Sequence, residues 1–440
     1  MTSETLNGGA PARDTARRAR VNQLTRAAQW FAGIEDDPYG LVLRAGDEDP
    51  HPYEERVRAL GPLYHSTLLD TWVTADPAVA RQVLGDPVFE GPGPAGATGG
   101  GDPLPYRSPA LTPDRADAAR LGDLTAFGGP LLRAGGPASV ERRTEAAART
   151  LLAGLGPRFD LAEDFARPLV GRVLAAELGL PEAVHGDFVR HLSGCRHALD
   201  GLLCPQTHAA SVAGEAAERS LAALLAEALP EAPPGAGAGA EAEAGAGAGA
   251  EVGADADRAD ADRADVLRAA LALAVGCAEP TAVLLSHAVG RLLAEPGGRL
   301  APAARPEGAA AAIASTLRDA PPVRLRTRTA REAVTLAGHE LPAGAHVTVL
   351  VAAVARDPRA AADGPPPSLP ADPYPGPGAH LVGAVARAAL RVLAATRPGL
   401  RAAGAAVVRP RSPVLRAPAL WPVAADPAYG TEEETLPCAS

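Results

Sequence analysis

Apolar residues recur at helical spacing along most of this chain, broken by a few stretches of strand-like alternation and by long runs of Gly and Pro. Residues up to about Asn22 are polar and rich in Arg, Thr and Gly, so 1–22 is expected to be a flexible arm. From Gln23 the run QLTRAAQWFAGI has helical spacing. The stretch HPYEERVRALGPLYHSTLLDTWVTADPAVARQVLGDP then predicts a helix, a short strand pair ending at TWVTAD, and a second helix. Asp76 is the N-cap of that helix and Pro77 its first residue, where a proline's missing N–H costs nothing. Between Gly91 and Ser108 the density of Gly and Pro forbids regular structure.

Two amphipathic helices follow, in PASVERRTEAAARTLLAGL and FDLAEDFARPLVGRVLAAELGL, with more helical pattern through LAALLAEALP. Residues 231–264 form a Gly/Ala/Glu/Asp repeat that buries almost nothing and is expected to be a disordered insert. After it, ADVLRAALALAVGCAEPTAVLLSHAVGRLLAE is apolar on nearly every side, which predicts a helix through the middle of the molecule with a kink before Pro280. The next stretch predicts a helix that holds Arg318, a Pro-bounded extended run, a hairpin through Pro342 and Gly344, and a short helix. From Asp372 to Gly399 a Pro/Gly-rich loop feeds a long Ala/Leu/Val/Arg helix.

Composition narrows the class. Hydrophobic residues at 47% are enough for a sizeable core, yet aromatics are only 3%, so Ala, Leu and Val must build it. Those residues together with Arg favour helix. Every basic side chain is arginine, a composition from which no function follows. A net charge of -10 argues against non-specific nucleic-acid binding, which needs a basic footprint. Cys195, Cys204, Cys277 and Cys438 are too scattered for a disulfide framework. No signal-peptide core is evident and no apolar run approaches the ~18 residues that span a bilayer, so the expected location is cytoplasmic.

Residue patterns for common chemistries fail. The Gly-rich insert lacks the preceding strand and the closing G-K-[ST] of a P-loop, and no G-x-S-x-G elbow occurs. His191 and Cys195 stand at i and i+4 with His197 and Cys204 nearby, a zinc-like grouping without a paired C-x-x-C. His287, His339 and His346 read as satisfied or surface residues.

The Asp372–Gly399 stretch resembles the haem-binding region of the cytochrome P-450 monooxygenases, F-G-x-G-x-H-x-C-x-G-A followed by a helix. Gly376, Gly378, His380, Gly383, Ala384, Ala386 and Arg387 keep the outline, but Val382 stands where the thiolate ligand belongs, and His380 to Arg387 is two residues shorter than usual. Three further motifs are broken. Arg143 matches a propionate-binding Arg while Ser139 replaces its partner His; Glu279 is kept while Pro280 replaces the oxygen-site Thr, with Thr281 adjacent. Arg318 of an E-x-x-R pair is kept while Ser315 replaces the Glu. Arg328 matches another propionate-binding position, and Arg356-Asp357-Pro358 matches the family pattern.

The resemblance implies a mainly α fold with small β-sheets, a cytochrome P-450-like fold lacking haem, forming a single domain over residues 23–440. DTWVTADPAVARQVLGDPVF, VAAVARDP and VVRPRSPVLRAP further resemble one branch of that superfamily: haem-free auxiliary proteins that pair with deoxysugar glycosyltransferases in macrolide and aromatic polyketide biosynthesis. This implies a non-catalytic activator in a hetero-oligomer with a nucleotide-deoxysugar-dependent glycosyltransferase. No catalytic residue, cofactor or metal is implied. The alternatives are a haem monooxygenase with an unusual ligand, or a haem-free enzyme reusing the pocket through Arg143, Arg318, Arg328, Glu279 and His380.

Overall fold

Pro77 and the helix caps illustrate how closely local sequence sets the start of the fold. In the computed structural model, which describes residues 12–46, 48–91, 108–112, 136–229, 252–295, 300–363 and 377–425, the Asp76 carboxylate accepts from the backbone N–H of Ala78 and Val79 at 2.8 and 3.1 Å. Asp37 likewise accepts from Gly40 N–H, and its other oxygen takes the hydroxyls of Tyr64 and Ser66, each at 2.8 Å, so one cap also fixes the first strand.

In chain order the helices are α1 (Ala12–Ile34), α2 (Pro38–Arg44) and α3 (His51–Ala59), then strands β1 (Tyr64–Ser66) and β2 (Thr71–Thr74), α4 (Pro77–Gly85) and β3 (Phe89–Glu90). A helical half follows: α5 (Gly136–Gly154), β4 (Arg158–Asp160), a π-helical turn over Leu161–Ala166, α6 (Arg167–Glu177), α7 (His185–Gly194), α8 (Ala198–Gly201), α9 (His208–Ala228) and α10 (Val252–Ala294). The chain continues through α11 (Pro306–Asp319), β5 (Leu325–Ala330), β6 (Val334–Leu336), β7 (His339–Leu341), β8 (His346–Leu350) and α12 (Val351–Arg356). It closes with α13 (Pro377–Thr396), β9 (Leu400–Ala402), β10 (Val407–Val408), β11 (Pro418–Leu420) and β12 (Pro422–Ala425).

The largest sheet runs β1-β2-β8-β5-β3. Its centre is a parallel pairing of β2 with β8, Trp72 opposite Val347, so strands far apart in sequence share one ladder. A small core lies between this sheet and the flanking helices α4 and α12, with Val79, Val83, Phe89, Val347, Val349 and Val354. The main core surrounds α10 and α13. From Val266 to Val289, α10 is buried on nearly all sides, as its uniformly apolar sequence requires.

Four expectations are corrected. The arm expected at 1–22 is helical from Ala12, and α1 docks through polar residues seven apart: Gln29 donates to Leu203 O at 2.7 Å, and buried Asn22 reaches Gln206 O at 3.4 Å. A polar face of this kind looks like an arm because its partners are carbonyls distant in sequence. The expected insert at 231–264 is helical from Val252, in α10; its earlier part, like the Gly/Pro stretch after Gly91, lies outside the described residues. The chain does turn at Pro342–Gly344, where Ala345 N–H meets Pro342 O at 3.1 Å, but β7 and β8 on either side do not pair; the hairpin is β6–β7, turning at Ala337 and Gly338, both with left-handed backbone at φ of 50° and 82°. Two helical segments, Arg263–Ala294 and Gly378–Thr396, are long and apolar enough to cross a bilayer, yet 89% and 72% of their most apolar windows are buried inside the molecule.

Small residues let the helices and loops approach closely, which is how a core poor in aromatics stays filled. On α10, Gly290 lies under the indole of Trp421, where an added Cβ would come within 3.1 Å of the ring carbon Cζ2. Gly290→Ala is expected to cost about 1–3 kcal/mol through overpacking, read as a lower denaturation midpoint, while Gly186→Ala, with open space around it, should leave the midpoint within experimental error.

Candidate functional site

The sequence places the family's cofactor region around α13, which is in direct contact with both α10 and α5. At the start of α13, Gly378 lies against Cys277 of α10: a Cβ on Gly378 would sit 3.0 Å from the Cys277 sulfur. Val382 follows one turn later with no exposed surface, packed into the main core. A flat macrocycle needs roughly 3.5 Å of clearance on each face, and no such gap separates these helices at Gly378.

The side chains that would serve a haem are engaged with protein. Arg143 donates to both oxygens of buried Glu177 on α6 at 2.6 and 2.7 Å, and to Ser139 Oγ at 2.8 Å. The Glu177 carboxylate thus occupies the guanidinium that would meet a propionate, and it holds Arg143 charged. Thr281 donates to Cys277 O on its own helix at 2.6 Å, and α10 runs on through Pro280. Ser315 donates to Ala312 O at 3.1 Å, and Arg318, three residues on, is exposed. Arg328 is buried and donates to Thr327 O, whereas His380 is exposed. Arg387 spans α13 to Glu141 of α5 at 3.2 Å, so the arginine kept from the haem motif now ties two helices.

Glu279 is the most constrained of the predicted residues. It is buried and accepts from Arg167 Nη2 at 2.7 Å and Arg409 Nη2 at 2.6 Å. Burial alone would raise its pKa, but Arg409 and Arg167 outweigh that and hold it down to about 2. Arg167 also donates to Pro418 O at 2.7 Å and Arg409 to Arg196 O at 2.8 Å, so the cluster joins α10, α6 and the C-terminal strands.

Among the described residues no three His, Cys, Asp or Glu side chains converge as metal ligands. The zinc-like grouping separates into local roles: Cys195 Sγ donates to His191 O at 3.4 Å, and burial pushes the thiols of Cys195 and Cys204 up to about 12. His197 is held down to about 4, first by burial and then by Arg409 and Arg196 beside it. These residues do not fit a haem: a valine side chain replaces the donor, Cys277 is a neutral buried thiol raised to about 12 by burial, and α13 rests on α10.

Sequence reasoning missed the partners Glu177, Arg167, Arg409 and Glu141. Each is joined to a predicted residue across 34 to 246 positions of sequence, and although all four lie in stretches already read as helix or family pattern, helical spacing carries no sign of a partner so far away. Removing the carboxylate at the centre should be costly. Glu279→Gln is expected to lose about 3–5 kcal/mol of stability, because two buried guanidiniums lose their counter-charge. Since its folded pKa lies below the ordinary carboxylate value, the stability Glu279 contributes is present above about pH 4.5 and lost as pH falls toward 2. Denaturation titrations of the two proteins from pH 7 down to 3 should therefore show the gap between them narrowing below about pH 4.5.

No protein-family model matches the sequence. Over its length, however, the chain is 44% identical to Protein TylM3 of Streptomyces fradiae, covering 94% of this chain and 95% of that one. It is 36% identical to Protein DesVIII of Streptomyces venezuelae, covering 91% of each, and 36% identical to Protein AknT of Streptomyces galilaeus, covering 90% and 93%. Among solved structures it resembles cytochrome P-450 BioI bound to an acylated carrier protein, with a TM-score of 0.65 at 20% identity over 86% of this chain and 99% of that one. It also resembles CYP164A2 of Mycobacterium smegmatis, with a TM-score of 0.62 at 25% identity over 88% and 98%. The fold is that of the cytochromes P-450, and the chain belongs to the family of cytochrome P-450-like glycosyltransferase auxiliary proteins that includes TylM3, DesVIII and AknT.

Proposed function

We propose that this protein binds, stabilises and activates a deoxysugar glycosyltransferase of polyketide antibiotic biosynthesis, in the cytoplasm, as one partner of a hetero-oligomer, and carries no haem. The observation that supports this most is the 44% identity to TylM3 across almost the whole of both chains. The haem-region geometry agrees with it: Val382 is sealed in the core and α13 rests on α10 at Gly378. A reused catalytic pocket is disfavoured because its candidate groups do not converge. Arg143 and Glu279 are bound in ion pairs to neighbouring elements, while Arg318 and His380 are exposed.

An activator of this kind needs no contact with substrate. Binding only the active conformer of the transferase raises that conformer's population by the difference in affinity. If about 1% of the free transferase were active, a differential of about 5.5 kcal/mol would make nearly all of it so. Interfaces burying on the order of 1,600 Å² reach such values.

Two measurements test the reading. The purified protein should show no Soret band and no iron, and Val382→Cys alone should not create one, because the helix contact at Gly378 remains. Stoichiometric haem in the unaltered protein overturns the haem-free part. Sugar transfer by a deoxysugar glycosyltransferase that co-purifies with this protein should be low alone, rise by orders of magnitude on co-expression, and persist with Arg318→Ala or His380→Ala. Equal transfer without this protein overturns the activator role, and loss in either variant with folding and binding intact points to catalysis by this chain.

A further inference from the structure

A cleft of about 460 Å³ opens between α1, α2 and the loop that joins β10 to β11. Its wall carries Arg26, Arg44, Arg324, Arg409, Arg411 and Arg416, and among the described residues no carboxylate lines it. In a protein of net charge -10 that is a strong local reversal of sign. Three carboxylates stand behind the wall and account for part of it: Glu54 accepts from Arg324 at 2.7 Å, Glu279 from Arg409, and Asp200 takes hydrogen bonds from the loop. Arg26 and Arg411 have no such partner. Both line the cleft, and Arg411 is lowered first by burial and then by the charge of Arg26. Two guanidiniums in mutual repulsion at the edge of a cavity are relieved by an anion between them.

The loop is built to hold this arrangement. Arg411 and Arg416 both have left-handed backbone, with φ of 57° and 49°, a conformation that side chains other than glycine adopt only when their surroundings enforce it. The enforcing contacts are visible. Asp200 accepts from Ser412 Oγ at 2.6 Å and from the N–H groups of Val414 and Leu415 at 3.0 and 3.1 Å, and Gln206 donates to Arg411 O at 2.9 Å. At the rim, exposed Trp30 carries the Arg44 guanidinium 3.8 Å over its ring, and Val42 and Leu43 give the cleft an apolar side.

We propose that this cleft binds a nucleoside diphosphate. Several guanidiniums exceed what one carboxylate would neutralise and suit the paired oxygens of a phosphate chain. The volume and the apolar side suit a ligand with a base and sugar attached. The same chemistry is offered by a free nucleotide and by a nucleotide-linked sugar. The assignment rests on the cleft alone and stands apart from the activator reading.

Isothermal titration at about 0.15 M salt, an ionic strength that screens weak surface attraction, tests it on the full-length protein with uridine 5′-diphosphate, uridine 5′-diphosphoglucose, inorganic pyrophosphate and uridine. Saturable binding of the diphosphate is expected, with uridine at least about tenfold weaker, since it lacks the charge-assisted contacts of the phosphates. Arg26→Gln combined with Arg411→Gln should weaken binding about tenfold or more, and Arg190→Gln, an exposed side chain outside the cleft lining, should not change it. The double variant removes a repulsion, so it should melt at or above the unaltered protein, which separates lost binding from lost folding. Binding of the diphosphoglucose as tight as that of the diphosphate assigns a nucleotide sugar, and weaker binding assigns the free nucleotide. No saturable diphosphate binding, equal binding by the folded double variant, or pyrophosphate matching the nucleotide overturns the proposal.

Discussion

A single buried carboxylate holds the architecture in register. Glu279 sits in the middle of the central helix, and the two guanidiniums that meet it come from α6 and from the C-terminal loop after β10. A lone charge at that depth would be ejected or neutralised, so all three elements must arrive together for any of them to be tolerable. Arg409 is at once a counter-charge for the core and part of the cleft wall. The interior network therefore sets the position of a surface feature some 130 residues away in sequence.

The contact between α10 and α13 follows the same logic in apolar form. Gly378 at the start of α13 lets the backbone come close to the Cys277 sulfur of α10, where any side chain would have to displace it. The neighbouring ion pairs Arg143–Glu177 and Arg387–Glu141 then stitch α5 to α6 and α13. Arg143, Glu279 and Arg387, three charged positions that match the haem motifs, are each held in an ion pair that joins two elements of the fold.

Much of this was legible in the sequence. Asp76 and Pro77 marked a helix start, the all-round apolar pattern of α10 marked the central helix, and a valine at 382 excluded a thiolate without any structure. What escaped reading were interactions between distant positions. Asn22 read as the end of a flexible arm because its partner is a carbonyl near residue 205, and the turn at Ala337 was hidden because alanine is a poor advertisement for left-handed backbone. The arginine cleft was equally invisible: its members are scattered from position 26 to 416 and gather only when α1 lies across the C-terminal loop.

The backbone at Arg411 sets two demands against each other. Glycine there would relax the left-handed conformation and return on the order of 1 kcal/mol to the fold. The same change would erase a guanidinium from the cleft wall. Selection for thermal robustness alone would drive this position toward glycine, so engineering that screens variants only by melting temperature would quietly trade away whatever the charged loop recognises.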